Sequence, residues 1–340
     1  SGFIGVQVCK QLQAQGAIVR ASTRSTGVGK QLERLKLAQE VHVGDLRDQK
    51  LIKGIATDCD AVVHLAHDQH THTKTTWEVS VNGTANLLAE IANSSSVANI
   101  AFASSMSVYG YQLHNTGLFD PINEMTDLQP FGDPFSDAKI ATERLLLERA
   151  EVGGASVTIL RMPAVYGIGS KGWTKQYITN ARKGRLRAFG TGDYCLRYLH
   201  VDSAVAAFMY SLQAQRTGVY NVYDGVTTLN RFLQHYGDLF DPPVPVGHIP
   251  LWLVKGMFTV HSWLPGSTIN PASLLAMTEP MSDAKLVPCT SIRTDLGWAP
   301  RAELEVAMRD IKRHYLDPAP PAPPAPPTAA SESPPSGSTQ

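Results

Sequence analysis

The stretch Ser1-Gly2-Phe3-Ile4-Gly5 runs without a break into Val6 to Gln15, where apolar side chains recur at helical spacing until Gly16. Ala17-Ile18-Val19-Arg20-Ala21-Ser22 comes next and reads as a short strand. Two glycines three apart at the head of a helix let a backbone approach a pyrophosphate and let the helix pack closely on a strand. Working outward, Val41-His42-Val43-Gly44-Asp45, Asp60-Ala61-Val62-Val63-His64-Leu65 and Ile100-Ala101-Phe102-Ala103-Ser104-Ser105 read as further strands, with helical stretches such as Thr84 to Asn93 between them. Strands and helices alternating in this way predict an α/β chain with a doubly wound parallel sheet. Such sheets bind ligands beyond the carboxyl ends of their strands, so chemistry is to be sought just after each strand.

The 340 residues carry 30 Lys+Arg against 30 Asp+Glu and are 43% hydrophobic, which excludes disorder throughout and supplies a globular core. A balanced charge offers no basic field for a phosphate backbone, so no nucleic-acid partner is expected and a small molecule is. Cys9, Cys59, Cys195 and Cys289 are far apart, with no C-x-x-C pair, which predicts neither a disulfide framework nor a zinc site and fits a reducing, cytoplasmic compartment. His64, His67, His70 and His72 mix odd and even offsets without a Cys or Glu at ligand spacing, so no metal is expected. The longest apolar stretch, Ile249 to Leu264, is interrupted by Lys255, Gly256 and His261, and no membrane span is predicted. The chain shows no secretory signal, and it opens on Ser1 rather than Met, so its true N-terminus is expected upstream. Residues 317–340 form a Pro/Ala-rich segment with little to bury, expected to be a disordered tail outside the fold.

The glycine pair gains force from seven further segments downstream: Asp45-Leu46-Arg47-Asp48, His64-Leu65-Ala66, Asn82-Gly83-Thr84, Ser104-Ser105-Met106-Ser107-Val108-Tyr109-Gly110, Leu160-Arg161-Met162-Pro163-Ala164-Val165-Tyr166-Gly167, Leu199-His200-Val201-Asp202 and Leu296-Gly297-Trp298-Ala299-Pro300-Arg301. In that order and spacing the chain resembles the extended short-chain dehydrogenase/reductase family, the NAD-dependent epimerase/dehydratase group, over residues 1 to about 316. The resemblance implies a Rossmann-like NAD(P)-binding domain over 1–165 with 196–224 returning to it, and a smaller substrate lobe from 166–195 and 225–316. The family's first strand and first fingerprint glycine would precede Gly2, so the chain is expected to be a fragment or a natural truncation.

Carried over by residue, the resemblance implies that Gly2, Phe3, Ile4 and Gly5 face the pyrophosphate, Asp45 and Leu46 the adenine, and Leu65 and Ala66 the middle of the dinucleotide. Asn82 would support the active-site backbone, Pro163 and Val165 would join the cofactor-binding set, and Lys139 would hold the nicotinamide ribose. A homodimer through helices of that domain is implied as well. At the 2′ position of the adenosine ribose a carboxylate would select NAD and an arginine NADP. Arg20-Ala21-Ser22-Thr23-Arg24 has no carboxylate and two guanidiniums suited to phosphate, so Arg20 and Arg24 favour NADP over NAD; the plainer reading is two solvated arginines.

The family's catalytic set is a Ser or Thr that polarises the substrate carbonyl, a Tyr that exchanges the proton, and a Lys four residues later that lowers the Tyr pKa. Ser105 and Lys139 match, but four residues before Lys139 stands Phe135, which has no ionisable hydroxyl. Three explanations remain open: another hydroxyl, such as Tyr109, Tyr111 or Ser136, handles the proton; the substrate or a water supplies it; or the dinucleotide is bound and not turned over. In nucleotide-sugar enzymes an arginine often stands four residues before the His of the His-Val-Asp element, where this chain has Leu196 with Arg197 one place on. With the apolar Pro250-Leu251-Trp252-Leu253-Val254 and Met257-Phe258, this widens the expected substrate from sugar nucleotides to steroid-like or other lipophilic molecules, unless those residues simply pack the lobe. The expected function is an NAD(P)-dependent oxidoreductase or epimerase/dehydratase acting on an alcohol/carbonyl centre; the alternative is a catalytically silent dinucleotide-binding protein with a regulatory or scaffold role.

Overall fold

A computed structural model describes residues 2–68, 73–94, 96–113, 122–254, 256 and 288–317. Its elements are α1 (Phe3–Ala14), β1 (Arg20–Thr23), α2 (Thr26–Arg34), β2 (Glu40–Val43), β3 (Ala61–His64), α3 (Thr73–Trp77), α4 (Gly83–Ser94), β4 (Asn99–Ser105), α5 (Pro134–Glu151), β5 (Ser156–Met162) and β6 (Ala164–Tyr166). Next come α6 (Gln176–Arg182), β7 (Arg187–Phe189), β8 (Cys195–His200), α7 (Val201–Ala214), β9 (Gly218–Asn221), β10 (Gly225–Thr228), α8 (Leu229–Gly237), β11 (Gly247–Ile249), α9 (Ser291–Leu296) and α10 (Leu304–Tyr315). The strand expected at 17–22 forms over β1 instead, because the chain leaves α1 through Gly16, at φ 80°, and pairing with β2 begins only at Arg20 opposite Glu40. The Pro/Ala-rich segment from 318, and Met257, Phe258, His70 and His72, lie outside the described residues.

Ladders β3-β4-β5-β9 run parallel in that order, with Ala61 opposite Asn99, Asn99 opposite Ser156 and Thr158 opposite Gly218. β4 shows why the sheet is covered on both faces. Ile100 and Phe102 point into one apolar cluster with Leu87, Leu88 and Ile91 of α4 and Leu146 of α5. Ala101 and Ala103 point into the other, with Val8 of α1 and Ala204, Ala207 and Phe208 of α7. A strand buried on both faces reads as a continuous apolar run, which is the Ile-Ala-Phe-Ala pattern of the sequence. β1 and β2 pair in parallel as a separate two-stranded ladder; β10-β8-β6 and β11-β7 complete the sheets. Helices on both faces of a parallel sheet make this a Rossmann-like α/β fold.

A third cluster, rich in aromatic rings, gathers Tyr166, Phe232, Tyr236 and Leu304 around β6, α6, α8 and α10. Trp298 anchors the C-terminal segment: fully buried, it donates from Nε1 to the Ser203 carbonyl at 3.0 Å, reached through Gly297 at φ 70° after α9.

One buried ion pair ties α5 to the sheet. Arg161 of β5 and Glu143 of α5 meet at 2.7 Å with side chains 4% and 2% exposed, and Glu143 also accepts from the Ser104 hydroxyl. Arg161 further donates to the Tyr109 hydroxyl at 2.9 Å, which donates to Asn221 of β9 at 2.8 Å. Removing one partner of such a pair strands a buried charge. Arg161→Met is expected to cost about 3–5 kcal/mol, read from urea unfolding, and Arg161→Met with Glu143→Leu to recover most of it; a double variant no more stable than the single one would contradict this reading of the pair.

Candidate active site

The carboxyl end of β4 and the first turns of α5 meet at Lys139. Asp133 starts α5 by accepting from the Ser136 backbone at 2.9 Å, and Pro134 sits at the first helical position, so the sequence fixes where the helix begins. The turn after that start buries Lys139, 5% exposed, against β4. Its Nζ donates to the Ala103 carbonyl at 2.5 Å and lies 4.6 Å from the Phe102 ring centre and 5.8 Å from that of Phe135. Burial pushes this ammonium down to about 7, against the opposing pull of Glu143 one turn along the helix.

Phe135 is half-buried and meets the His67 ring edge-on at 4.9 Å between centres. Burial, with the nearby Lys139 and His64, pushes His67 down to about 2, so its imidazole is neutral. His64, pushed down to about 3 by burial and then Lys139, sits at 2.8 Å from Thr84 Oγ1 and serves the core. Ser105, at the end of β4, accepts from the Ser107 backbone at 3.1 Å; the Ser107 and Ser136 hydroxyls lie 2.9 Å apart, and Ser136 reaches Asp133 at 2.7 Å. Ser105, Phe135, Ser136 and Lys139 are thus brought together, joined by Ser107, Asp133 and His67.

Tyr109 is not a stand-in for the missing hydroxyl. It is 2% exposed, and its hydroxyl is committed to Arg161 and Asn221. The side chain of Tyr111 lies outside the described residues.

The glycine-bearing start of α1 is open. Gly2 precedes the helix with no side chain capping it, a Cβ built on Gly2 would meet nothing within 4 Å, and one on Gly5 would meet only Leu65 at 3.5 Å. Uncapped N–H groups there suit an anion. The Phe3 ring packs instead on Gly169, whose added Cβ would stand 3.2 Å from it, and Phe3, Ile4, Leu65 and Val165 all border one apolar cluster. This brings α1, the end of β3 and the half-buried Pro163 to Val165 segment alongside one another. Asp45 is held low by the Arg47 guanidinium, which it accepts at 3.1 and 2.8 Å, and Leu46 is buried. The Asn86 amide fixes this turn through the Leu46 carbonyl at 2.9 Å; Asn82 and Ala66 are exposed.

Arg20 departs from its expected role. Its Nε pairs with Glu40 at 2.5 Å and its NH1 donates to the Thr57 carbonyl at 2.6 Å, so it braces β1 against β2 and the 55–57 turn. Arg24, exposed just beyond β1 beside Ser25, is the guanidinium left at that strand's carboxyl end. Arg197 is buried with its guanidinium 5.8 Å from the Tyr223 ring, and Leu196 is half-buried in β8. The residues present fit a nicotinamide dinucleotide: an open helix start, small residues beside it, and a buried amine at the far end.

The model of the NAD dependent epimerase/dehydratase family matches residues 1–223. The chain belongs to that family. Among curated relatives, N-acetyl-alpha-D-glucosaminyl-diphospho-ditrans,octacis-undecaprenol 4-epimerase of Escherichia coli O157:H7 is 27% identical over 217 residues, 61% of this chain and 63% of that protein. CDP-paratose 2-epimerase of Salmonella typhi is 26% identical over 198 residues, 50% of this chain and 58% of its own. The matched part therefore spans less than two thirds of either relative. UDP-glucose 4-epimerase of Thermotoga maritima, solved with UDP-glucose, superposes at a TM-score of 0.71 with 22% identity, covering 92% of this chain and 96% of its own. MoeE5 in complex with UDP-glucose and NAD superposes at 0.68 with 21% identity and the same coverage. These superpositions carry the fold.

The buried amine makes a pH-dependent claim. In the unfolded chain Lys139 holds its proton to 10.5, whereas in the fold it releases it near 7. The charge therefore burdens the native state fully below 7, and the burden lifts as pH rises from 7 to 10.5. Lys139→Met is expected to gain stability at pH 7, on the order of a few kcal/mol, and to lose most of that advantage by pH 10; an advantage unchanged between the two pH values would contradict the burial.

Proposed function

We propose that the protein is an NADP(H)-preferring member of the family that oxidises, reduces or epimerises an alcohol/carbonyl centre on a sugar carried by a diphosphate. The observation that carries this reading is the cluster at the end of β4. Ser105, at the end of β4, would polarise a carbonyl oxygen, and Lys139 is buried against the same strand with its amine near neutrality. Gly2 to Gly5 would receive the pyrophosphate on the N–H groups of α1, Asp45 and Leu46 would flank the adenine, and Leu65, Ala66, Pro163 and Val165 would line the middle. When bound, the nicotinamide supplies the acceptor or donor of a hydride. The chain adds position and charge: Lys139 offers an amine to a ribose hydroxyl, and Phe102 and Phe135 keep water from that amine.

The diphosphosugar class is proposed from the substrates that the relatives' names state. The phosphate contact would not come from Arg197, which is buried against Tyr223. Neither of these relatives favours a steroid-like substrate. A second reading, a silent dinucleotide binder, draws on Phe135 and on the commitment of the Tyr109 hydroxyl to the core.

The cofactor preference rests on Arg24, exposed beyond β1 where no carboxylate stands between residues 20 and 25. Fluorescence titration is expected to show tighter binding of NADPH than of NADH. Arg24→Glu should weaken NADPH by about tenfold or more and leave NADH within about threefold, whereas Arg20→Met should lower stability without changing the ratio of the two. Equal affinities in the unmodified protein would sink the NADP preference, and binding of neither would sink the functional reading.

A further inference from the structure

Without a tyrosine at 135, the proton that accompanies hydride transfer needs another route. We propose that Ser107 is the catalytic hydroxyl of this site and that Ser136 and Asp133 are positioning residues behind it, forming a Ser107-Ser136-Asp133 proton relay. This rests on the functional reading above and names its missing acid–base group.

The direction of the relay comes from counting protons. Ser136 is 1% exposed and has one hydroxyl hydrogen for two neighbours, the Asp133 carboxylate at 2.7 Å and Ser107 Oγ at 2.9 Å. The charged acceptor takes it. The structure has Ser136 as donor toward both oxygens; while the carboxylate holds its single hydrogen, the Ser136 oxygen can accept from Ser107, and Ser107 is then polarised toward a carboxylate two hydrogen bonds away. Ser107 is the half-buried member, its oxygen lies 2.9 Å from the Ser136 hydroxyl, and its backbone N–H donates to Ser105 Oγ at 3.1 Å. The two hydroxyls that would face a reacting oxygen therefore stand side by side.

Helix capping alone does not account for this arrangement. Asp133 caps α5 through the Ser136 backbone, which asks nothing of the Ser136 side chain and nothing of Ser107, 29 residues away. The first turn of α5 is also tied to the loop before it. Asp137 accepts from the Phe131 and Gly132 backbones, each at 2.9 Å, and Phe131 packs on Gly110, where an added Cβ would fall 2.6 Å from its ring. Gly110 has φ 50°, so the close approach needs glycine there.

In oxidation, the substrate O–H bond breaks and its proton passes to Ser107 Oγ. The Ser107 proton passes to Ser136, and the Ser136 proton to Asp133 Oδ2. A bound oxidised nicotinamide dinucleotide would accept the hydride with its electron pair from the same carbon, so that the carbon–oxygen single bond becomes a carbonyl. Reduction reverses each transfer. The charged and titratable groups around the relay are Asp137 on the same helix turn, Lys139 one turn on, and His67 across from Phe135.

The test uses UDP-glucose with NADP+ and with NAD+, on the full chain, alongside dinucleotide binding by fluorescence. Ser136→Ala is expected to lower kcat by about 10²-fold or more with KM and dinucleotide affinity within about threefold. Asp133→Asn, which keeps the helix cap, should lower kcat by about tenfold or more with dinucleotide affinity within about threefold. Phe135→Tyr placed in the Ser136→Ala background should restore at least about tenfold, which a merely structural serine would not allow. Ser136→Ala turning over as fast as the unmodified protein, or an unmodified protein that binds the dinucleotide and leaves UDP-glucose unreacted, would overturn the relay alone. Failure to bind either dinucleotide would overturn the functional reading and the relay with it.

Discussion

Burying an amine is the constraint around which this site is built. Lys139 lies beneath two phenyl rings with the Ala103 carbonyl as its hydrogen-bond acceptor, and the charge-poor surroundings bring its pKa to about 7. Such a group is tolerated only where its neighbours are fixed. The fixing comes from Glu143 one turn further on, itself locked to Arg161 and Ser104, so that α5, β4 and β5 share one polar seam through an otherwise apolar interior. The seam continues through Tyr109 to Asn221 of β9. Three strands of the parallel sheet and the helix that covers them are therefore set by the same charges that set the site.

The same constraint explains the chemistry left to the chain. A tyrosine at 135 would give the amine a hydroxyl to act on; phenylalanine gives it only a ring. In the proposed reaction, proton transfer would fall to hydroxyls that reach the end of β4 by another path, those of Ser107 and Ser136 with the Asp133 carboxylate behind them. His67 fills the space beside Phe135 as a neutral imidazole.

Much of this was legible in the sequence because it is local. The Ile-Ala-Phe-Ala run of β4 has the composition of a strand covered on both faces, and Ser105, Phe135 and Lys139 stand at spacings that a strand end and a helix turn make meaningful. The features that escaped depend on partners distant in sequence. Arg20 and Arg24 look alike in a row of letters, and only the pairing of β1 with β2 puts Glu40 beside the first and leaves the second exposed. Tyr109 offers a hydroxyl on paper, but Arg161 and Asn221, 52 and 112 residues away, absorb it. Ser107 and Ser136 are common residues with no pattern of their own, and their approach depends on how α5 meets the turn after β4.

The most direct test of the account is a crystal structure of the protein grown with NADPH. The expected result is a dinucleotide whose pyrophosphate rests on the first N–H groups of α1 and whose nicotinamide ribose lies within hydrogen-bonding reach of Lys139 Nζ. A dinucleotide bound elsewhere, or a Lys139 amine still sealed from it by Phe102 and Phe135, would contradict it.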